Sequence, residues 1–318
     1  MKQQSRQASR APSKAQSGNA AQQSGTIIAA HGRHYLAEVN GERVQCVTRG
    51  KKTNVAVGDI VKLTATSADQ AVIDEITERK TLLYRSDQYK SKLLAANVSQ
   101  LFIVVATEPG YTDDLVSRAT VAAEAAGIAV HLILNKVDVT ESLQRTRERL
   151  TMYSRLGYPV HEVSAKGNPE HAVATLRPLL KGNSSILIGQ SGMGKSSLIN
   201  LLVPGADIAV REISAALDTG KHTTTFTRLY TMPDLGPDTS IIDSPGFQEF
   251  GLYHLSEGML ERAFRDFKPY LGGCKFYNCR HLIEPQCPVL DAVKAGEISR
   301  LRHELYGQLL HESAQTLY

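Results

Sequence analysis

The sequence predicts a multidomain α/β protein, three folded parts behind a polar tail, and three observations carry that prediction. Residues 25–80 alternate apolar and polar positions in short runs broken by turns, which marks a small antiparallel barrel. Residues 90–250 alternate continuous apolar runs with helical stretches, which marks a doubly wound sheet. Residues 251–318 gather Cys274, Cys279 and Cys287 into one short window and then read as helical.

With 318 residues and 42% hydrophobic side chains, the chain has enough apolar surface for two or three cored domains, and no apolar run approaches membrane-spanning length. Residues 1–24 carry Lys2, Arg6, Arg10 and Lys14 and no acidic residue, so they hold the whole of the formal net charge of +4. Rich in Gln, Ser and Ala, this stretch has nothing apolar to bury against its ordering entropy and is expected to be disordered. It reads either as a solvated tail or as an arm that seeks polyanions. It contains no apolar h-region, so neither signal peptide nor anchor is expected, and a cytoplasmic protein with no membrane contact follows.

In the barrel region, period-two runs at 26–30, 35–39, 44–47, 59–63 and 71–76 read as strands, and Asn40-Gly41 is a hairpin signal. Short strands this closely spaced suggest a closed barrel, with an OB-fold as the leading candidate. The connections hold His31, Arg33, His34, Arg43, Arg49, Lys51 and Lys52, a basic rim suited to nucleic acid. Cys46 lies on a strand and is assigned to the core. Residues 77–97 read as a polar connection with Arg79, Lys80, Arg85, Lys90 and Lys92.

The period then changes. The run at 101–106 is apolar throughout, as a strand buried on both faces must be, and a helix is expected over 113–126. A second strand at 130–134 ends in Asn135-Lys136-Val137-Asp138. A helix over 142–156 then leads to a strand at 160–163 and Ser164-Ala165-Lys166. In such a sheet, ligands sit at the carboxyl ends of the strands.

The chemistry is written at those ends. Apolar residues 186–188 run into Gly189-Gln190-Ser191-Gly192-Met193-Gly194-Lys195-Ser196, with Ser197 behind, and 197–202 reads as the first turns of a helix. Glycines let backbone N–H groups curl round a phosphate at a helix N-terminus; Lys195 would reach the β- and γ-phosphates and Ser196 would hold Mg²⁺. The pattern at 135–138 is N-K-x-D. Asp138 accepts from the ring N1–H and exocyclic amine of guanine while Lys136 packs along the base, for a preference over adenine of about 1–3 kcal/mol or more. Ser164-Ala165-Lys166 is expected to support the base through the Ala165 N–H.

Residues 218–225 are polar and Gly-hinged, suited to a mobile switch in which Thr224 is favoured to complete the Mg²⁺ shell. A strand at 240–242 ends in Asp243-Ser244-Pro245-Gly246, with Asp243 holding Mg²⁺ through water and the Gly246 N–H sensing the γ-phosphate. These are the parts of a P-loop GTPase that binds GTP and GDP. The base-reading loops precede the phosphate loop, so the domain is circularly permuted, a cut that leaves the ring of loops intact.

Downstream, Cys274, Cys279, His281 and Cys287 have the spacing of one closed, tetrahedral structural Zn²⁺ site. The rest of the chain reads as helical, with Arg300, Arg302, His303 and His311 on polar positions, and is expected to pack on the zinc knuckle.

The succession of tail, OB-like barrel, circularly permuted GTPase domain and C-terminal zinc-binding helical domain resembles the bacterial ribosome small-subunit-dependent GTPase A family, from about Gly25 onward. The resemblance implies a late maturation factor that binds the 30S subunit and contacts 16S rRNA through the barrel and zinc domain. It also implies hydrolysis of GTP to GDP and phosphate, stimulated by the particle. Asn135, Lys136 and Asp138 carry over for guanine, residues 189–197 for phosphate and Mg²⁺, and Cys274, Cys279, His281 and Cys287 for zinc. The alternative is a GTP-gated rRNA-binding assembly module without significant stimulated turnover. A monomer is expected. In many GTPases a Gln after D-x-x-G orients the attacking water, but Phe247 stands here, so slow intrinsic turnover is expected. His222 matches the switch histidine considered in the family as a substitute, and Gln248 is its rival.

Overall fold

The computed structural model of the chain describes residues 22–50, 54–86, 91–206, 227–245 and 252–315. Most of the basic tail, Lys51, Lys52, Lys90, and the switch positions His222, Thr224, Gly246, Phe247 and Gln248 lie outside the described residues.

Strands β1 (Gln22–His31), β2 (His34–Val39), β3 (Glu42–Thr48), β4 (Ile60–Ala65) and β5 (Gln70–Ile76) pair in the order β1-β2-β3-β5-β4, and β4 closes back on β1. The β3–β5 pairing is parallel and the others are antiparallel, giving the closed OB-like barrel. The period-two pattern sends Ile27, Tyr35, Ala37, Cys46, Val61 and Leu63 into one small core. Cys46 sits there as the sequence suggests, and burial pushes its thiol up to about 11, away from thiolate chemistry at neutral pH. Asn40 and Gly41 turn the chain with φ of 52° and 85°, the left-handed backbone that Asn-Gly tolerates. His31, Arg33, His34, Arg43 and Arg49 are exposed.

Residues 77–97 are more than a polar connection. Strands β6 (Leu82–Ser86) and β7 (Ser91–Ala96) form an antiparallel hairpin that buries Leu83, Leu94, Ala95 and Ala96. The apolar pairs Leu82–Ala96 and Leu83–Ala95 lie at the open end and the polar pairs Arg85–Lys92 and Ser86–Ser91 follow, so no alternation spans either strand. The Ala96 N–H donates to Val57 O at 2.8 Å, seating the hairpin on the barrel.

The larger sheet follows: β8 (Gln100–Ala106), α1 (Asp113–Ala126), β9 (Ala129–Asn135), α2 (Leu143–Arg155), β10 (Val160–Glu162), α3 (Pro169–Leu180), β11 (Ser184–Ile188), α4 (Lys195–Leu202), β12 (Arg228–Thr231) and β13 (Ser240–Asp243). Its order is β10-β9-β8-β11-β13-β12, parallel except at β12. Central β8 is buried along its whole length, which explains its unbroken apolar run. Helix α3 and strand β12 have no counterpart in the sequence reading. For α3 the signals exist: the Asn168 side chain accepts the His171 N–H at 3.1 Å, and Pro169 occupies the first turn.

Barrel and sheet share a strand. Residues 22–26 of β1 pair with β4, a register shift falls between Ile27 and Ala29, and Ala29 then pairs with Arg228 of β12. Ile27 belongs to the barrel core, whereas Ile28 and Ala29 belong to the main core. Arg228 in turn pairs with Asp243 of β13.

Helices α5 (Glu257–Ala263), α6 (Pro288–Ala295) and α7 (Arg300–Gln315) complete the chain. Arg302, read from the sequence as a polar-face residue, is fully buried and donates Nε and Nη2 to the Asp266 carboxylate, both at 2.9 Å. A guanidinium is stable there because a fork of two hydrogen bonds neutralises it. Arg118 of α1 forms a second fork with Glu312 of α7, at 2.8 and 2.7 Å. Among the described residues no helix is long and apolar enough to cross a membrane.

Candidate active site

The carboxyl ends of β9, β10, β11 and β13 surround a cavity of about 580 Å³. The phosphate loop forms one wall. At Gly194, φ is 91° and a Cβ would stand 2.3 Å from Asn135 Nδ2, so only glycine lets that amide reach the loop. Helix α4 starts at the next residue, directing its N-terminal N–H groups and positive dipole end at the cavity. Lys195 is buried and donates Nζ to Gly189 O at 2.8 Å and Gln190 O at 3.1 Å. Burial lowers its pKa, opposed by nearby Asp243. Ser191, Gly192, Ser196 and Ser197 line the cavity, whereas Met193 is buried in the core.

On the opposite wall, β9 delivers Asn135, whose amide makes two bonds. Its Nδ2 donates to Met193 O at 3.0 Å, and its Oδ1 accepts the Ala165 N–H at 3.1 Å. One side chain therefore fixes the phosphate loop against the 164–166 loop. The Ala165 N–H expected to support a base is engaged by Asn135. Lys136, with φ of 64°, donates Nζ to Glu108 O at 2.7 Å, and Thr107 Oγ1 donates to Lys136 O at 3.0 Å. Val137 packs on the core. Asp138 and Lys166 are exposed at the cavity. The Ser164 hydroxyl donates to Asp138 Oδ1 while accepting the Gly167 N–H at 2.8 Å. A Cβ at Gly167 would lie 2.8 Å from Asp138 Cγ, so this glycine is required for the pair.

Asp243 closes the cavity at the end of β13. Burial pushes its carboxyl up to about 6, opposed by Lys195 and Arg228. The neighbouring Ser244 hydroxyl donates to Leu187 O at 2.6 Å, fixing the chain after β13 to β11. An ammonium, a hydroxyl and a carboxylate thus face the same space as a second carboxylate, Asp138, on the base side. That arrangement can hold a nucleotide by its phosphates at one end and its ring edge at the other. The braces through Asn135, Gly167 and Ser244 are absent from the sequence reading; only the two glycines leave a trace in the sequence.

A separate cluster lies in the C-terminal unit. The ligand atoms of Cys274, Cys279, His281 and Cys287 all lie within 4.8 Å of one another. A tetrahedron with metal–sulfur bonds of about 2.3 Å and a metal–nitrogen bond of about 2.0 Å has sulfur–sulfur edges of about 3.8 Å and sulfur–nitrogen edges of about 3.5 Å. Cys274 Sγ and Cys287 Sγ are 3.8 Å apart, and His281 Nδ1 stands 3.5 and 3.3 Å from them. The donor set fits a closed metal centre. His281 Nε2 lies 3.2 Å from Glu261 Oε2, which orients the ring, and His303 Nε2 lies 2.7 Å from His281 O, so α7 does pack on the knuckle. The Glu284 carboxylate accepts the N–H groups of Arg280, Leu282 and Ile283 and is pulled down to about 2 despite its burial.

Fold and cavity together define a phosphate-loop GTPase whose motif order is circularly permuted. Comparison with known proteins makes this specific: the RsgA GTPase family model matches residues 76–253, and the chain belongs to that family. A relative from Paraburkholderia xenovorans, called Small ribosomal subunit biogenesis GTPase RsgA, is 58% identical over 312 residues, 97% of each chain. One of the same name from Ralstonia pickettii is 57% identical over 96% of this chain and 97% of its own. Among solved structures, YjeQ from Thermotoga maritima matches with a TM-score of 0.69 at 30% identity, covering 92% of this chain and 99% of that one. YloQ, described as a circularly permuted GTPase, matches at 0.66 and 26% identity, covering 95% and 98%.

Proposed function

We propose that this chain is a cytoplasmic, monomeric, ribosome-stimulated GTPase that acts in late maturation of the 30S subunit, binds 16S rRNA and hydrolyses GTP to GDP and phosphate. The observation that carries the reading is the single cavity collecting Asp138, Lys195, Ser196 and Asp243, in a chain whose relatives bear a small-subunit biogenesis name. Asp138 reads the N1–H and amine of guanine, with Lys136 along the ring and residues 164–166 behind it. Lys195 exchanges the Gly189 and Gln190 carbonyls for β- and γ-phosphate oxygens. Ser196, Asp243 and Thr224 would hold Mg²⁺, which offsets charge on the phosphates. The Gly246 N–H meets the γ-phosphate. His222 orients the attacking water, since Phe247 has no hydrogen-bonding group. Cys274, Cys279, His281 and Cys287 would hold one structural Zn²⁺, whose role is to fold its own loop. Exposed basic residues on the barrel engage rRNA phosphates.

The test is GTP turnover with 30S particles, 50S particles or buffer alone. Stimulation by 30S is expected, with none by 50S. GTP binding without stimulated turnover would leave the GTP-gated module as the correct reading. Lys195→Ala should abolish turnover, and Asp138→Asn should relax the preference for GTP over ATP.

A further inference from the structure

Gln190 is the second residue of the phosphate loop, yet its side chain is not among the groups that face the cavity. Its Oε1 accepts the N–H of Thr112 at 3.0 Å. Thr112 is the N-cap of α1, and its own side chain makes no capping bond. The loop is therefore tied, through one amide, to the first turn of that helix.

Farther along α1 the apolar face packs in the main core, and polar side chains bond to the C-terminal unit. Arg118 forks onto Glu312 at 2.8 and 2.7 Å. Two residues on, the Thr120 hydroxyl lies 3.4 Å from Arg302 Nη1, on the guanidinium buried against Asp266. Near the helix end Glu124 takes Arg265 and Lys268, both at 2.8 Å. A helix of this length is a stiff rod of about 20 Å, so its seating at one end constrains its position at the other. The phosphate loop is tied to the other end, where Arg149 of α2 also donates to Tyr111 O and Asp113 Oδ2 at 2.8 and 3.0 Å.

We propose that Gln190 is a positioning residue for the GTPase site: through α1, it makes the closed form of the phosphate loop depend on how firmly the C-terminal metal-binding unit is seated. Loosening that unit speeds nucleotide release, and by linkage bound nucleotide tightens the seating. The inference rests on the nucleotide reading of the cavity and adds a route of communication to it. That route uses none of the switch residues 218–225 and 246–251, so it operates in the GDP-bound protein as well.

The experiment is a double-mutant cycle on release of mant-GDP from the full-length chain, followed by stopped-flow fluorescence. Gln190→Met removes the acceptor and keeps the side-chain length; Arg118→Met cuts the clamp to Glu312 without touching the cavity. One hydrogen bond of ordinary strength predicts release faster by about fivefold for Gln190→Met, and a partial loosening predicts about threefold for Arg118→Met. The double variant should release about fivefold faster, no more than Gln190→Met alone, because a cut link transmits nothing further. Glu312→Leu breaks the same fork from the other side and should reproduce Arg118→Met, which keeps the cycle usable if either variant folds poorly. Rates that multiply in the double variant, or release indifferent to the Arg118–Glu312 fork, would overturn the inference while leaving the nucleotide site in place. Failure of the wild-type chain to bind mant-GDP would overturn the reading of the cavity and this inference with it.

Discussion

Asn135→Asp offers a sharp test of how the nucleotide site is held, because the substituted side chain has the same shape and the opposite bonding on one side. Asn135 is 1% exposed, with Oδ1 accepting from Ala165 N and Nδ2 donating to Met193 O. A carboxylate can keep the first bond but sets an oxygen against the Met193 carbonyl in place of the donor. The lost bond is worth about 1 kcal/mol, and a buried carbonyl without a donor costs about 1–3 kcal/mol more. In the free protein the phosphate loop can swing outward until water satisfies Met193 O. Nucleotide binding must draw it back, so the cost appears in affinity rather than in stability. A loss of about 2–4 kcal/mol corresponds to GDP binding weaker by roughly 30- to 700-fold. Asn135→Ala, which removes both bonds and leaves both the Met193 carbonyl and the Ala165 N–H unpaired, should weaken binding at least as much. Calorimetric titration with GDP, beside thermal melting of each variant, measures both quantities. Affinity of the Asp variant within threefold of wild type would refute the argument.

Three further outcomes follow from the geometry. Arg302→Met strands the buried Asp266 carboxylate and should cost about 3–5 kcal/mol in urea unfolding, most of it recovered when Asp266→Leu is added; a loss below about 1 kcal/mol would show that the pair is not the clamp described. His131 Nδ1 and His161 Nε2 lie 3.0 Å apart on β9 and β10, and burial lowers the pKa of both, helped at His131 by the neighbouring ring. Because the folded values lie below the unfolded value of about 6.5, the unfolded chain takes up protons first as pH falls through that value. Stability should then decline from there downward, and His161→Gln should flatten the decline; a wild-type urea midpoint equal at about pH 7.5 and pH 5.5 would refute it. Cys279→Ser should abolish stoichiometric metal and raise amide exchange across the loop from Cys274 to Cys287 while GDP still binds; wild-type protein without zinc by elemental analysis would dispose of the metal centre.

What could be read in advance depended on how local its cause was. The unbroken apolar run of β8 reports burial on both faces, and the loop from Gly189 to Ser197 announces itself because its glycines and Lys195 must be adjacent in the chain. The thiol and imidazole donors lie within a few residues of one another for the same reason. Hidden features have causes distant in sequence. Arg302 looked solvated because its neutralising partner, Asp266, lies three dozen residues away. Asn135 matched a base-reading motif, yet nothing in that motif says its amide will span two other loops. The seating of the metal unit is a further case. In the structure that unit is fastened to α1 by Arg118, Arg302 and the Glu124 cluster, which a linear reading does not join.

The shared strand β1 has a consequence for the making of the protein. Residues 22–26 can find β4 as soon as the first eighty or so residues leave the ribosome exit tunnel, so the small barrel is free to close early. The other half of the same strand pairs with β2 along one edge, but its second edge has no partner until Arg228 is synthesised about two hundred residues later. Until then Ile28 and Ala29 present an unpaired, apolar strand edge, a surface on which nascent chains stick to one another. Synthesis of the second part of the chain is therefore a race between elongation and aggregation. Slow codons between the barrel and residue 228 should lower the soluble yield more than the same codons placed after it.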